Sequence, residues 1–211
     1  MTARDLALLA RRLIVDFPEY YHYFAEKEFV FNGIKQGNRN PLLYRDLGVD
    51  GLKTGQLSIS GYGLTASAIR SGRRIILVVH GLDGMQSRAE ESTRLLDWAY
   101  REFDNYRLLK AGAAVSDAPV WYGQTDTVPL VVKSDLVVTL PRSAFKDLKA
   151  KSVFEGPVPA PIAAGQPIGK LVITAPEISP VEVPLYAGAG LDRLDVVGRI
   201  LAGIRGFLAG G

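Results

Sequence analysis

The chain has 211 residues, 47% of them hydrophobic, which is enough to bury one large core or two small ones. Its formal charge of +3 is mildly basic, but Lys and Arg are scattered among acids, which excludes the basic stripe of a nucleic-acid-binding surface. The absence of cysteine excludes disulfides, zinc-thiolate sites and cysteine nucleophiles, and with only two histidines, His22 and His80, no histidine-rich metal site is expected.

Thr2, three residues before Asp5 and followed by Leu6, Leu8, Leu9, Leu13 and Ile14, predicts a capped amphipathic helix that stops before Pro18. No apolar signal stretch is read at Met1 to Leu6, and no uninterrupted run approaches a membrane span. Phe17 to Tyr44 is rich in aromatics and broken by Asn32-Gly33, Gly37 and Asn40-Pro41, a pattern of strand and loop. Residues 57 to 69 alternate as a strand, Ser71-Gly72 supplies a tight turn, and Arg73 to His80 carries the β-branched run Ile75, Ile76, Val78 and Val79. This predicts an antiparallel hairpin with Lys53-Thr54-Gly55 at its entrance. Ser87 and Glu90 have capping-box spacing, and Leu95, Leu96, Trp98, Ala99 and Phe103 continue a helical period to Asn105.

Beyond Leu109, short β-type runs separated by Gly, Pro and Asp extend through Ile168 to Ile173 and Val181 to Leu185, predicting an all-β module. From Leu191, apolar residues recur at three- and four-residue intervals through Leu194, Val197, Ile200, Leu201, Ile204, Phe207 and Leu208. Two readings of this amphipathic stretch stand: a helix packed on its own domain or a partner, and a helix lying in the membrane interface through residues 191–208. The expected organisation is α+β, with domains at 1–104 and 105–188 and the amphipathic helix at 189–211.

Lys-Thr-Gly alone is a weak tripeptide, but its surroundings form a long series. Glu26-Lys27-Glu28-Phe29, Phe31-Asn32-Gly33-Ile34, Asn38-Arg39-Asn40, Leu42-Leu43 and Val49-Asp50-Gly51-Leu52-Lys53-Thr54-Gly55 are followed by Gly61-Tyr62, Ala66-Ser67-Ala68, Arg73-Arg74 and Arg88-Ala89-Glu90. Together they resemble the D-alanyl-D-alanine carboxypeptidases, the low-molecular-mass penicillin-binding proteins, almost continuously from Thr2 to about Gly112. The resemblance implies part of a transpeptidase-like catalytic domain, then a small β-sandwich-like domain and a terminal anchor.

That family works with three motifs, Ser-x-x-Lys, a Ser-x-Asn-type element and Lys-Thr-Gly, the serine forming an acyl-enzyme that water resolves. Only the third is read here. The other two are expected in polypeptide preceding Met1, and neither is expected within the chain, which alone would be inactive. By resemblance, Lys53 and Thr54 hold the carboxylate of a peptidoglycan stem peptide ending in D-Ala-D-Ala, and Gly55 lets its backbone approach. Gln56, standing where many relatives have histidine, supplies a backbone oxyanion donor, and Arg88, on the loop entering the second helix, adds positive charge.

The same resemblance implies β-lactam acylation of the complete enzyme and a location on the periplasmic face of the inner membrane. A non-catalytic pedestal or interaction module is the competing reading. His80 is expected to be a partly buried structural residue, His22 a packing residue, and the incomplete sheet a site of oligomerisation or strand exchange.

Overall fold

The computed structural model describes residues 1–195 and Gly198, and within them the chain divides into one compact unit over Met1–Glu102 and a second that begins at Phe103. Helix α1, Ala3–Asp16, starts where its cap dictates: Thr2 accepts the Asp5 amide while the Asp5 carboxylate accepts the Thr2 amide. The Phe17 amide still bonds back to Leu13, and Pro18, whose missing N–H costs nothing at a first helical position, opens the short α2, Pro18–Tyr21.

A 3-10 turn, His22–Ala25, follows, so the first part of the aromatic stretch is helical rather than strand and loop. Aromatic side chains favour strands only as a half-buried surface allows. Here Tyr21, 8% exposed, goes into the core with Ala10 and Leu52, and Phe24 packs against it partly buried.

The rest of that stretch forms a hairpin of β1, Glu28–Phe31, and β2, Ile34–Gly37, turned by Asn32 and Gly33, both at positive φ. A 3-10 turn at Pro41–Tyr44 then leads into a three-stranded antiparallel sheet of β3, Val49–Leu57, β4, Gly61–Arg70, and β5, Arg73–Leu82, in that order. The continuous strand expected over 57 to 69 is therefore interrupted, with residues 58–60 turning between β3 and β4. At Gly61, with φ +67°, a Cβ would stand 2.6 Å from the Leu82 carbonyl oxygen, so the turn requires glycine.

Side chains alternate across this sheet. Leu64, Ala66, Leu77 and Val79 pack with Leu42 and Leu95, whereas Ile76 and Leu52 pack toward Ala10, Leu13 and Ile14 of α1. The sheet is thus covered on one side by α1 and on the other by α3, Met85–Glu102. Helix α3 begins before the expected box: Ser87 Oγ accepts the Gly84 amide at 3.0 Å and donates to the Gly84 carbonyl, which ties off the turn from inside. The helix also ends before Asn105, because Phe103 opens a strand.

The second unit contains β6, Phe103–Leu109; β7, Ala114–Trp121; β8, Thr127–Val131; β9, Leu136–Pro141; β10, Lys149–Phe154; β11, Val158–Pro159; β12, Pro167–Thr174; and β13, Val181–Ala187. Strands β6 and β9 pair with each other, and the others form a sheet in the order β10-β12-β13-β8-β7-β11, antiparallel except for β11 beside β7. Period-two burial fills its core. Val128 and Leu130, Val138 and Leu140, Leu171 and Ile173, and Leu185 and Ala187 point inward.

Residues Leu191 to Leu194 are extended and bridged to this unit, Leu191 to Ile162 and Arg193 to Gly123, so the first turn of the expected terminal helix is not helical. Apart from Gly198, residues 196–211 of that expected helix lie outside the described residues. Among the described residues, no helix is long and apolar enough to cross a membrane.

Candidate functional site

The site begins with how β3 is held. Asn40, 1% exposed, donates to the Gly51 carbonyl at 3.0 Å and accepts the Leu42 amide at 3.1 Å, so one side chain caps a 3-10 turn and anchors the strand. Asn38 accepts the Asn40 amide and donates to the Glu26 carbonyl.

On the other side Asp50 receives Arg74 through both carboxylate oxygens, at 2.9 and 2.8 Å, and the Tyr21 hydroxyl at 2.9 Å. Arg74 also bonds the fully buried Ser67, and its guanidinium lies over the Tyr21 ring. Burial is the main reason the Tyr21 hydroxyl is pushed up to about 12, and the Asp50 charge adds to it. A Cβ on Gly51 would meet Tyr21 Oη at 2.7 Å, which is why the residue between Asp50 and Leu52 has no side chain.

Held in this way, β3 presents Lys53, Thr54 and Gly55 along one wall of a cavity of about 320 Å³. Leu6, Leu9, Ala10 and Leu13 of α1 form the opposite wall, and Leu64, Thr65 and His80 complete it. Among the described residues β3 pairs with β4 alone, so its second edge faces away from the sheet. Lys53 is exposed and its ammonium donates to the Thr54 carbonyl at 2.6 Å. At Gly55 a Cβ would meet nothing within 4 Å. Packing does not demand a glycine there; it leaves clear ground beside the strand.

Gly63, directly opposite, is different. A Cβ there would come within 2.9 Å of the His80 ring. His80 itself is exposed rather than partly buried; it lies where the β4–β5 register is irregular, between the Leu64–Val79 and Tyr62–Leu82 pairs, next to Gly81 at positive φ. His22 is also exposed; its ring lies 4.1 Å from that of Tyr23 and its Nδ1 is 2.9 Å from the Glu19 carbonyl.

Gln56 and Arg88 meet through a residue that sequence reasoning passed over. Tyr62, opposite Gln56 in the register, accepts the Gln56 side-chain amide at 2.9 Å on its hydroxyl, and the Arg88 guanidinium stands 5.7 Å from its ring centre. The Gly61-Tyr62 pair was visible as part of the family series, but reading 57 to 69 as one strand hid the turn at 58–60 that sets Tyr62 across from Gln56.

Arg88 lies in the first turn of α3, not on the preceding loop, and is only 5% exposed. It donates to the Arg39 carbonyl at 3.2 Å, its Nε is buried without a partner, and burial pulls its pKa below the usual arginine value. It remains a cation, since no protein environment strips a guanidinium at ordinary pH. Lys53, Thr54, Gly55 and Gln56 therefore share one strand, with Arg88 behind Tyr62. Among the described residues no cluster of His, Asp or Glu is arranged to hold a metal ion.

One sequence expectation is corrected outright. Ser-x-x-Lys spacing does occur within the chain, at Ser143-Ala144-Phe145-Lys146. These residues lie on the 3-10 segment Arg142–Asp147 of the second unit, with Phe145 stacked on Tyr106 and both Ser143 and Lys146 exposed. A serine nucleophile needs a neighbouring base held in a shielded site, and this segment offers none.

Fold and site together define an α+β chain whose first unit displays a Lys-Thr-Gly edge strand beside a helix-walled cavity. Residues 1–84 match the family described as D-alanyl-D-alanine carboxypeptidase, and residues 103–193 match the C-terminal domain of penicillin-binding protein 5. The D-alanyl-D-alanine carboxypeptidase DacA of Escherichia coli (strain K12) is 42% identical over 172 residues, covering 81% of this chain and 43% of the relative. DacC of the same strain is 39% identical over 201 residues, covering 94% and 50%. The crystal structure of penicillin binding protein 5 from Haemophilus influenzae aligns with a TM-score of 0.80 at 37% identity, covering 91% of this chain and 57% of that one. The chain belongs to the D-alanyl-D-alanine carboxypeptidase family. It spans about half the length of the curated relatives it matches.

Proposed function

We propose that the β3 edge is the carboxylate-binding side of a serine-type D-alanyl-D-alanine carboxypeptidase, acting on peptidoglycan stem peptides without a cofactor. The observation that carries this reading is Lys53-Thr54-Gly55 on an edge strand, facing a cavity, with open space at Gly55 that packing does not require. In it, Lys53 exchanges its bond to the Thr54 carbonyl for the substrate carboxylate, the Thr54 hydroxyl supports that contact, and the Gln56 amide N–H stabilises the developing oxyanion. Arg88 is too deeply buried to be an open binding arm. It contributes positive potential from behind Tyr62 and fixes the Asn38–Asn40 loop through Arg39.

The acylating serine comes from a segment carrying Ser-x-x-Lys and Ser-x-Asn, neither of which is found in the first unit, and these 211 residues alone carry out no acyl transfer. A fluorescent penicillin tests both statements. A polypeptide in which such a segment precedes residue 1 should form a covalent adduct that survives denaturing electrophoresis, and residues 1–211 should form none. Failure of the longer form to label at any concentration would sink the enzymatic reading.

We also infer membrane association on the periplasmic side of the inner membrane through the amphipathic sequence that ends the chain. It is supported by the apolar spacing from Leu194 to Leu208, with Arg199 and Arg205 between. Co-sedimentation with lipid vesicles that is lost on deleting the residues after Gly190 would support it, and unchanged sedimentation would refute it.

A further inference from the structure

The second unit carries an aromatic pair that its core does not use. Trp121, the last residue of β7, is 59% exposed, and Tyr122, at φ +58°, is 37% exposed. A left-handed conformation is uncommon for a bulky residue and persists only when neighbours hold it. Here the Tyr122 carbonyl accepts the Leu194 amide at 2.8 Å, the Gln124 amide bonds the Asp192 carbonyl, and Gly123 is bridged to Arg193.

On its other side the Trp121 carbonyl accepts the Ala160 amide, so the corner is fixed by backbone bonds from two separate segments. The arrangement keeps two amphipathic rings at the surface beside Asp192 to Leu194. Arg193 sits over the Tyr122 ring at 5.9 Å.

Beyond Asp195 the sequence continues with Val197, Ile200, Leu201, Ile204, Phe207 and Leu208 at helical spacing. Resting on the membrane association proposed above, we infer that Trp121 and Tyr122 form a second bilayer contact, entering the headgroup region beside the terminal segment. Tryptophan and tyrosine suit that zone because each has an apolar body and a polar tip.

The charges at the corner favour this partner over a purely electrostatic one. Asp126, Asp192 and Asp195 outnumber Arg193 in the sequence here, so attraction to anionic headgroups does not drive the contact, which depends on apolar area. Two contacts of modest strength, one from the tail and one from the corner, also fix which face of the β unit lies toward the lipid, which a single flexible attachment does not.

The chain has only two tryptophans, Trp98 on α3 and Trp121, so each can report separately. The Trp98→Phe chain, mixed with phosphatidylethanolamine and phosphatidylglycerol vesicles carrying brominated acyl chains, should show blue-shifted, strongly quenched Trp121 emission. The Trp121→Phe chain should bind the same vesicles with Trp98 unquenched, and the Trp121→Ala, Tyr122→Ala pair should partition roughly tenfold more weakly. Vesicle binding without quenching of Trp121 overturns this inference and leaves the tail as the attachment. Failure of the unaltered chain to bind overturns both.

Discussion

Replacing Asn40 by alanine removes two bonds from a site with no access to water. The loss of the cap on the Leu42 amide costs about 1 kcal/mol. The Gly51 carbonyl then stays buried without its 3.0 Å donor, a further penalty of roughly 1–3 kcal/mol. The sum, about 2–4 kcal/mol, is a large share of the total stability of a domain of this size. Urea unfolding of the first unit, followed through Trp98 with Trp121 replaced by phenylalanine, should show a midpoint lower by on the order of 2 M with an unchanged slope.

Asn40→Asp separates the two parts. It retains the acceptor for Leu42 but turns a carboxylate toward the Gly51 carbonyl, so it should be at least as unstable as alanine at neutral pH and recover where the carboxyl is protonated. An alanine variant within about 0.5 kcal/mol of the parent, or an aspartate variant as stable as the parent, would refute the claim that Asn40 anchors the motif strand.

Tyr21 gives the first unit an alkaline limit. Its hydroxyl ionises at about 12 in the folded chain, against an ordinary value of 10.0, because burial opposes the phenolate and the Asp50 charge adds to that. Below pH 10 folded and unfolded chains both hold the proton, and the stabilisation is complete. Between pH 10 and 12 only the unfolded chain releases it, so stability falls as pH rises, with a slope shallower than the unscreened limit of about 1.4 kcal/mol per pH unit. Urea titrations at stepped alkaline pH should show this fall, and Tyr21→Phe should flatten it while costing about 1 kcal/mol at neutral pH. In the second unit, Leu130 is fully buried, and Leu130→Ala should cost about 2–5 kcal/mol in the unfolding transition reported by Trp121.

Much of this architecture can be read from local rules. Thr2 and Asp5 announce the start of α1, Ser71-Gly72 the turn between β4 and β5, and the alternation of Leu136, Val138 and Leu140 a half-buried strand. The motif series, not the tripeptide, identifies the family. What stayed hidden depends on contacts distant in sequence.

Nothing near Arg88 says that Tyr62 and the Arg39 carbonyl will enclose it, so a residue that reads as a surface charge on a loop is a buried one in a helix. Tyr20, Tyr21 and Tyr23 have strand-like composition, but Pro18 at a helix start and the fit of one ring beneath Arg74 set the local fold. Ser87 has the spacing of a cap residue and instead ties off the turn at Gly84 from inside the helix. Ser143 and Lys146 show the reverse error: the spacing of a catalytic motif is present, and its exposed surroundings deny it the chemistry.

The placement of β4 between β3 and β5 has a consequence on the timescale of hydrogen exchange. Among the described residues, β4 is the strand of the first unit bonded on both sides, and it carries Tyr62, to which Gln56 is tied. Its amides are protected by two neighbours, whereas alternate peptide groups of β3 point outward with no strand beyond them. The residue after the motif is thus fastened to the slowest-opening strand of its sheet, while the backbone edge next to it exchanges with solvent. A ligand laid along β3 would meet an edge open to hydrogen bonding, backed by a strand with neighbours on both sides.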